Sequence, residues 1–196
     1  MTDNNKKPPG RPRSVKSHQA MLRATLELLA EVGFDALSIE AIAARAGVGK
    51  STIYRRYTCK EDLIADAIEN IREDVAIPDT GNLWGDIDAL IQSAAQITLN
   101  PLGRQTVATI VSSASSHPEF AQIYWKKYLQ PRRQAFSVVL ERAKARNEIQ
   151  ADLDPCLIFD IMSGIMLYSL IFQPTTESWE AYVRRALALV LKETSI

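Results

Sequence analysis

Between residues 38 and 57 the spacing of apolar positions breaks and resumes, and the chain must turn where it breaks. Ile39, Ile42, Ala43 and Ala46 fall at i, i+3, i+4 and i+7, the stripe of a short helix with one buried face. Ser38 stands where a hydroxyl caps such a helix. Gly47 follows at once, and glycine takes the left-handed conformation after a helix without steric penalty. A second short segment, Gly49 to Tyr57, keeps Ile53 for packing and leaves Lys50, Ser51, Thr52, Tyr54, Arg55 and Arg56 for other uses. Two short helices about a tight turn form the layout of a DNA-reading helix-turn-helix.

The rest of the chain also reads as helix, so the expected fold is all-α. A first helix is predicted over about residues 16–32 and a fourth over about 60–75, with further helices over about 83–99, 102–115, 118–146, 155–172 and 176–193. Pro78-Asp79-Thr80-Gly81-Asn82, Asn100-Pro101, His117-Pro118, Asp152 to Pro155 and Gln173-Pro174 separate them. Pro131 should kink or split the longest. The pattern divides the chain into an arm over 1–15, a helix-turn-helix domain over 16–76 and a helical body over 77–196.

Within the body, Cys156 to Phe172 is apolar nearly all the way round, and such a helix must be covered on every side, by its own core and by another subunit. The helix after it is broadly apolar too. Ile161, Gly164 and Ile165 on the first, with Tyr182, Ala186, Leu189 and Val190 on the second, are the expected dimer interface. The small residues Ser163 and Gly164 allow close helix contact.

Charge sharpens this division. The chain has 23 basic and 23 acidic residues, yet residues 1–60 hold 11 Lys/Arg against 5 Asp/Glu (+6) and residues 61–196 hold 12 against 18 (−6). A basic half suits DNA and an acidic half is repelled by it. No acidic residue lies between Lys50 and Lys60. There, Lys and Arg supply charge for phosphates and donors for guanine, small hydroxyls let a helix sit deep in the major groove, and Tyr54 reaches a phosphate or a thymine methyl. The start of the chain, KKPPGRPRSVK, sets Arg11 and Arg13 among prolines with almost nothing apolar, a disordered basic arm suited to phosphates or the minor groove. Gly10-Arg11-Pro12 resembles the core of an AT-hook.

Other chemistry finds little support. Two cysteines and two histidines, far apart in sequence, suggest neither a disulfide framework nor a metal site. No apolar run of about 18 residues and no signal peptide is visible, so a soluble cytoplasmic protein is expected. Gly47-Val48-Gly49-Lys50-Ser51-Thr52 mimics the tail of a phosphate-binding loop, but Ala44 stands where that loop needs glycine and a helix precedes it where a strand belongs. No catalytic constellation appears in the body, and neither an enzyme nor a cofactor is expected.

Ala46-Gly47-Val48, Thr52-Ile53-Tyr54 and Lys60 together resemble the amino-terminal DNA-binding domain of the TetR/AcrR family of bacterial transcriptional regulators. Ala24, Leu28, Leu29, Gly33-Phe34 and Leu37 fit its first helix. The resemblance implies an amino-terminal helix-turn-helix domain joined to a carboxy-terminal helical domain for ligand binding and dimerisation. It places Lys50, Ser51, Thr52, Tyr54 and Arg55 in or beside the major groove and puts Ser38 and Lys60 on phosphates. Arg56-Tyr57 and Cys59 depart from the family's usual residues; Arg56 adds a cation for a phosphate, and Cys59 should cap its helix poorly. Glu40 stands where a carboxylate can accept from a cytosine amino group, or is simply solvated.

The family also implies a homodimer joined through its last two helices, repression of a palindromic operator, and release by a small molecule held in the body. Trp84, Phe120, Tyr124, Trp125, Tyr128, Met162, Met166 and Tyr168 are the candidates for that site, favouring an apolar or aromatic effector, although at helical spacing such residues are more often plain core. A DNA-binding architectural protein without ligand control is the alternative.

Overall fold

The computed structural model describes residues 12–70 and 77–191, and every element of regular structure in them is helical. The chain divides into two units, Met1–Ile71 and Arg72–Ile196.

The first unit contains α1 (Pro12–Ala36), α2 (Ile39–Ala46), α3 (Lys50–Tyr54) and α4 (Lys60–Glu69). α1 packs on α2 and α4. Met21, Leu37, Ile42, Ile53, Leu63 and Ile64 are essentially inaccessible, and burying each such side chain contributes roughly 1.5–3 kcal/mol. Apolar periodicity predicts that α1 starts near Lys16, yet it begins at Pro12, because proline has no N–H to lose in a first turn and its φ is already helical. The expected stop at Val32 coincides with Gly33, which leaves helical geometry at φ 77°, ψ 178°. The end predicted for the fourth helix, near residue 75, falls outside the described residues.

The second unit contains α5 (Leu83–Thr98), α6 (Pro101–Ser116), α7 (Pro118–Tyr124), α8 (Gln130–Ala145), α9 (Pro155–Ile171) and α10 (Trp179–Val190). Residues Trp125–Leu129 form a π-helical turn between α7 and α8. Pro131 cannot donate to the carbonyl one turn back, and the widened turn just before it absorbs the defect. α10 starts at Trp179, later than the apolar pattern predicts, because the Ser178 hydroxyl caps it by accepting from the Ala181 N–H at 3.2 Å. The core joins Ile87 and Ile91 of α5, Leu140 of α8, Ile158 of α9, and Val183 and Leu187 of α10.

A polar lock ties the segment before α5 to the chain after α8. The buried Asp86 carboxylate accepts from the Thr80 N–H at 2.6 Å and the Thr80 hydroxyl at 2.8 Å, while its other oxygen faces the Arg146 guanidinium at 3.9 Å. Arg146 also donates to Glu148 at 2.9 Å, and Glu148 accepts from the Leu83 N–H at 2.7 Å. Among the described residues no helix is long and apolar enough to cross a membrane.

Candidate nucleic-acid interface and ligand cavity

The reading end of the first unit is set by three local devices. Ser38 caps α2, its Oγ accepting from the Ala41 N–H at 3.1 Å. Gly47, at φ 65° and ψ 34°, takes the left-handed conformation; the Gly47 N–H then reaches Ala44 O at 3.3 Å and the Val48 N–H reaches Ala43 O at 3.0 Å, so that the chain reverses. Ile53, fully buried, pins α3. With Ile53 inward, Lys50, Ser51, Tyr54, Arg55 and Arg56 stand exposed and Thr52 half-buried. Tyr54 is 55% accessible, an unusual position for an aromatic side chain that has only structural work to do. The segment resembling a phosphate-binding loop is the turn between two helices, and its lysine turns to Glu40.

Two cations of the expected set are held in different ways. Lys50 Nζ lies 3.0 Å from Glu40 Oε1 across the turn, with both side chains exposed. The Lys50 hydrogen bond holds the Glu40 carboxyl below its ordinary range, and the lysine is raised in turn. Lys60, by contrast, is half-buried. Its ammonium donates to Phe34 O at 3.0 Å and Leu37 O at 3.2 Å and lies 5.2 Å from the Phe34 ring centre. Where the sequence suggests a phosphate contact, the side chain also ties the end of α1 to the start of α4. Cys59 offers α4 no side-chain cap. Arg11 lies outside the described residues, and Arg13 belongs to the first turn of α1.

A polar pair that sequence reasoning passes over sits behind α3. Tyr57, buried, meets His18 Nε2 of α1 through its hydroxyl at 2.8 Å. Burial raises the phenol well above its ordinary value, with Asp66 adding to the effect. Burial also lowers His18, as does Arg56, while Asp66 opposes. Separated by 39 residues, the two carry no local signal in the sequence.

In the second unit a cavity of about 220 Å³ lies among α5, α8 and α9. Met162 and Met166 line it; the other six candidates do not. Phe120 and Tyr124 are buried and stack at 5.6 Å, with Tyr128 5.4 Å from Tyr124. Trp125 lies under Arg133 at 5.6 Å and Trp84 under Arg184 at 4.5 Å. Tyr168 is 57% accessible and pairs with Phe172. The wall comes instead from three helical stripes: Leu90, Ala94 and Ile97; Arg132, Phe136 and Val139; and Phe159, Met162 and Met166. Small residues beside them, Ser93, Ala135 and Ser163, leave the space open. Each stripe keeps i, i+3 or i+4, i+7 spacing in the sequence.

The expected interface residues sit on α9 and α10. Gly164 and Leu189 are exposed, while Ile161, Ile165, Tyr182, Ala186 and Val190 are half-buried. Ile165, Tyr182 and Val190 pack partly on the core. Leu157, Tyr168, Ile171 and then Phe172 are exposed as well and extend one open apolar face along that helix.

Known proteins share both units. The profile described as "Bacterial regulatory proteins, tetR family" matches residues 21–67, and "Tetracyclin repressor-like, C-terminal domain" matches residues 77–190. An uncharacterized HTH-type transcriptional regulator of Bacillus subtilis, YdeS, is 31% identical over 176 residues, covering 89% of this chain and 88% of its own. The DNA-binding transcriptional repressor TetR of Mycobacteroides abscessus is 31% identical over 159 residues, covering 77% and 80%. Among solved structures, that of the flavonoid-responsive regulator FrrA superposes with a TM-score of 0.69 at 23% identity, covering 91% of this chain and 96% of its own, a likeness of fold.

Proposed function

The chain belongs to the TetR family of bacterial transcriptional regulators, and from that premise we propose that it is a homodimeric repressor that binds a palindromic operator and leaves it when a small molecule enters the cavity of the second unit. The observation that carries the reading is the setting of α3: Ile53 is sealed in the core while Lys50, Ser51, Tyr54, Arg55 and Arg56 point away from it. Lys50, Ser51, Thr52, Tyr54 and Arg55 enter the major groove or border it. Arg56, Ser38 and Lys60 hold phosphates. The Ser38 cap uses its oxygen as an acceptor, which leaves the hydroxyl proton as a donor, and Lys60 has a third N–H beyond the two it spends on carbonyls. Arg11 and Arg13 follow the flanking backbone.

Each α3 reaches only a few base pairs, so two readers on a palindrome nearly double the specific contacts. The open apolar face of α9 supplies the means of pairing. A ligand releases DNA only if it binds the DNA-free conformation more tightly. FrrA, a relative in fold, is described as a flavonoid-responsive regulator.

Selection of bound fragments from sheared genomic DNA at near-physiological salt, followed by sequencing, tests the proposal. A few sharply enriched palindromes are expected. Enrichment that follows A·T content alone would instead mark an architectural DNA binder.

A further inference from the structure

We propose that Ile77–Thr80 is a latched strap across one end of the cavity among α5, α8 and α9, and that its opening sets how fast a ligand enters and leaves. The inference rests on the reading of this cavity as a ligand site and adds the route by which it fills.

Ile77 belongs to the cavity wall yet is 42% accessible. Every other apolar residue of the wall is buried or half-buried, so Ile77 is where the hydrocarbon lining meets solvent. Pro78 disfavours helical backbone at the residue before it, which keeps the tip of the strap from winding into a turn of helix.

The three residues that follow are held from both sides of the cavity. On α5, the stripe that gives Leu90 and Ala94 to the wall begins one turn earlier at Asp86, whose carboxylate accepts from the Thr80 N–H at 2.6 Å and the Thr80 hydroxyl at 2.8 Å. On α8, the stripe that gives Phe136 and Val139 continues one turn later to Arg142, which donates to Pro78 O at 3.1 Å and lies 3.5 Å from the Asp79 carboxylate. The strap thus runs between the start of α5 and the end of α8, and it covers the end of the cavity that these two helices share.

The two attachments are unequal. Asp86 is inaccessible to solvent and is faced by the Arg146 guanidinium at 3.9 Å, so releasing Thr80 would strand a buried carboxylate. The Arg142 and Asp79 side chains are 36% and 61% accessible, and water replaces such a contact at little cost. Thr80 is therefore the pivot, Arg142 the latch and Ile77 the part that moves. An exposed latch lets the strap open without unfolding the body, and a buried pivot brings it back to the same place.

Stopped-flow fluorescence of the full-length protein with 1-aminonaphthalene, a small neutral apolar probe, tests the inference. Arg142→Met keeps the stem and removes the latch, and Ile77→Ala shortens the tip. Each is expected to raise both the association and the dissociation rate by roughly three-fold or more, with the equilibrium affinity of Arg142→Met changed less than either rate. A residue that merely stabilises the body would lower the melting temperature and leave the rates in place. Should Arg142→Met melt early, Ile77→Ala, at an exposed position, decides alone. Unchanged rates in a folded variant would overturn the inference, as would faster dissociation with no faster association. It also falls if the probe never enters the unaltered protein, or if the signal survives Ala94→Phe, which fills the cavity. The effector reading is judged separately, by operator release. A probe whose exchange obeys the latch but which leaves the operator complex intact keeps the strap and counts against the effector role, whereas a probe that releases DNA at rates the latch does not alter does the reverse.

Discussion

Lys50 and Lys60 share a charge and a neighbourhood, yet their surroundings give them different work. Lys60 holds two backbone carbonyls, and charge-assisted bonds of this kind are worth more than neutral ones. Lys60→Ala is therefore expected to destabilise the amino-terminal unit by roughly 1–2 kcal/mol and to weaken binding to every operator sequence alike; an unchanged melting temperature would remove the structural half of that account. Lys50 and Glu40 are exposed partners 3.0 Å apart, an arrangement that adds little stability and sets a donor beside an acceptor where α3 begins. In selections from randomised operators, Lys50→Ala and Glu40→Gln should each shift base preference, at the same or adjacent positions. Unaltered preference in both would take the pair out of base readout. His18 carries a third expectation. Its folded value is lowered from 6.5, chiefly by burial, so the unfolded chain binds the proton more readily and stability must rise with pH across that window. The contribution is complete above 6.5 and is lost as pH falls below it, and thermal melts from pH 7.5 to 5 should show a slope that His18→Gln flattens.

At the scale of elements, stripes were legible wherever one helix kept one register. The Ile39, Ile42, Ala43 stripe and the lone Ile53 are buried as their spacing requires, and Gly47 adopts the left-handed turn. The cavity wall was harder to read because residues 118–146 read as one helix kinked or split at Pro131, which does not fix the phase of the part after the break. Extending the buried positions Phe120 and Tyr124 at 3.6 residues per turn leads to residues 131 and 138, which are exposed, whereas Phe136, Val139 and Leu140 are buried. The π-helical turn at Trp125–Leu129 takes up the difference, and periodicity does not register such a turn in advance. The apolar α9 was legible as a helix needing cover, but which residues stay uncovered depends on how α8 and α10 pack against it. Tyr168, exposed within its own chain, is the informative position. Tyr168→Asp is expected to leave the monomer folded, convert the sedimenting species to a single-chain mass and weaken binding to the palindrome far more than to a half-site. A variant that still sediments as a dimer would move the interface elsewhere.

For the whole molecule, the separation of charge and the separation of tasks coincide. On the proposed reading the basic first 60 residues carry the operator contacts and the acidic remainder carries the ligand cavity, so ligand and operator bind different atoms. Coupling between them must run through a conformational equilibrium, and thermodynamics then imposes a symmetry that no detail of the path can alter. If saturation with the effector weakens operator affinity by some factor, saturation with operator must weaken effector affinity by the same factor, typically about 5- to 150-fold. Both factors are measurable on one preparation at one salt concentration, the second by calorimetric titration of the protein with and without excess operator. Equality is what any reversible, ligand-linked release requires. If the ligand weakens DNA binding but bound DNA leaves ligand affinity untouched, the loss of binding is not a reversible equilibrium, as when the ligand drives irreversible unfolding or aggregation, and the proposed switch is lost with it.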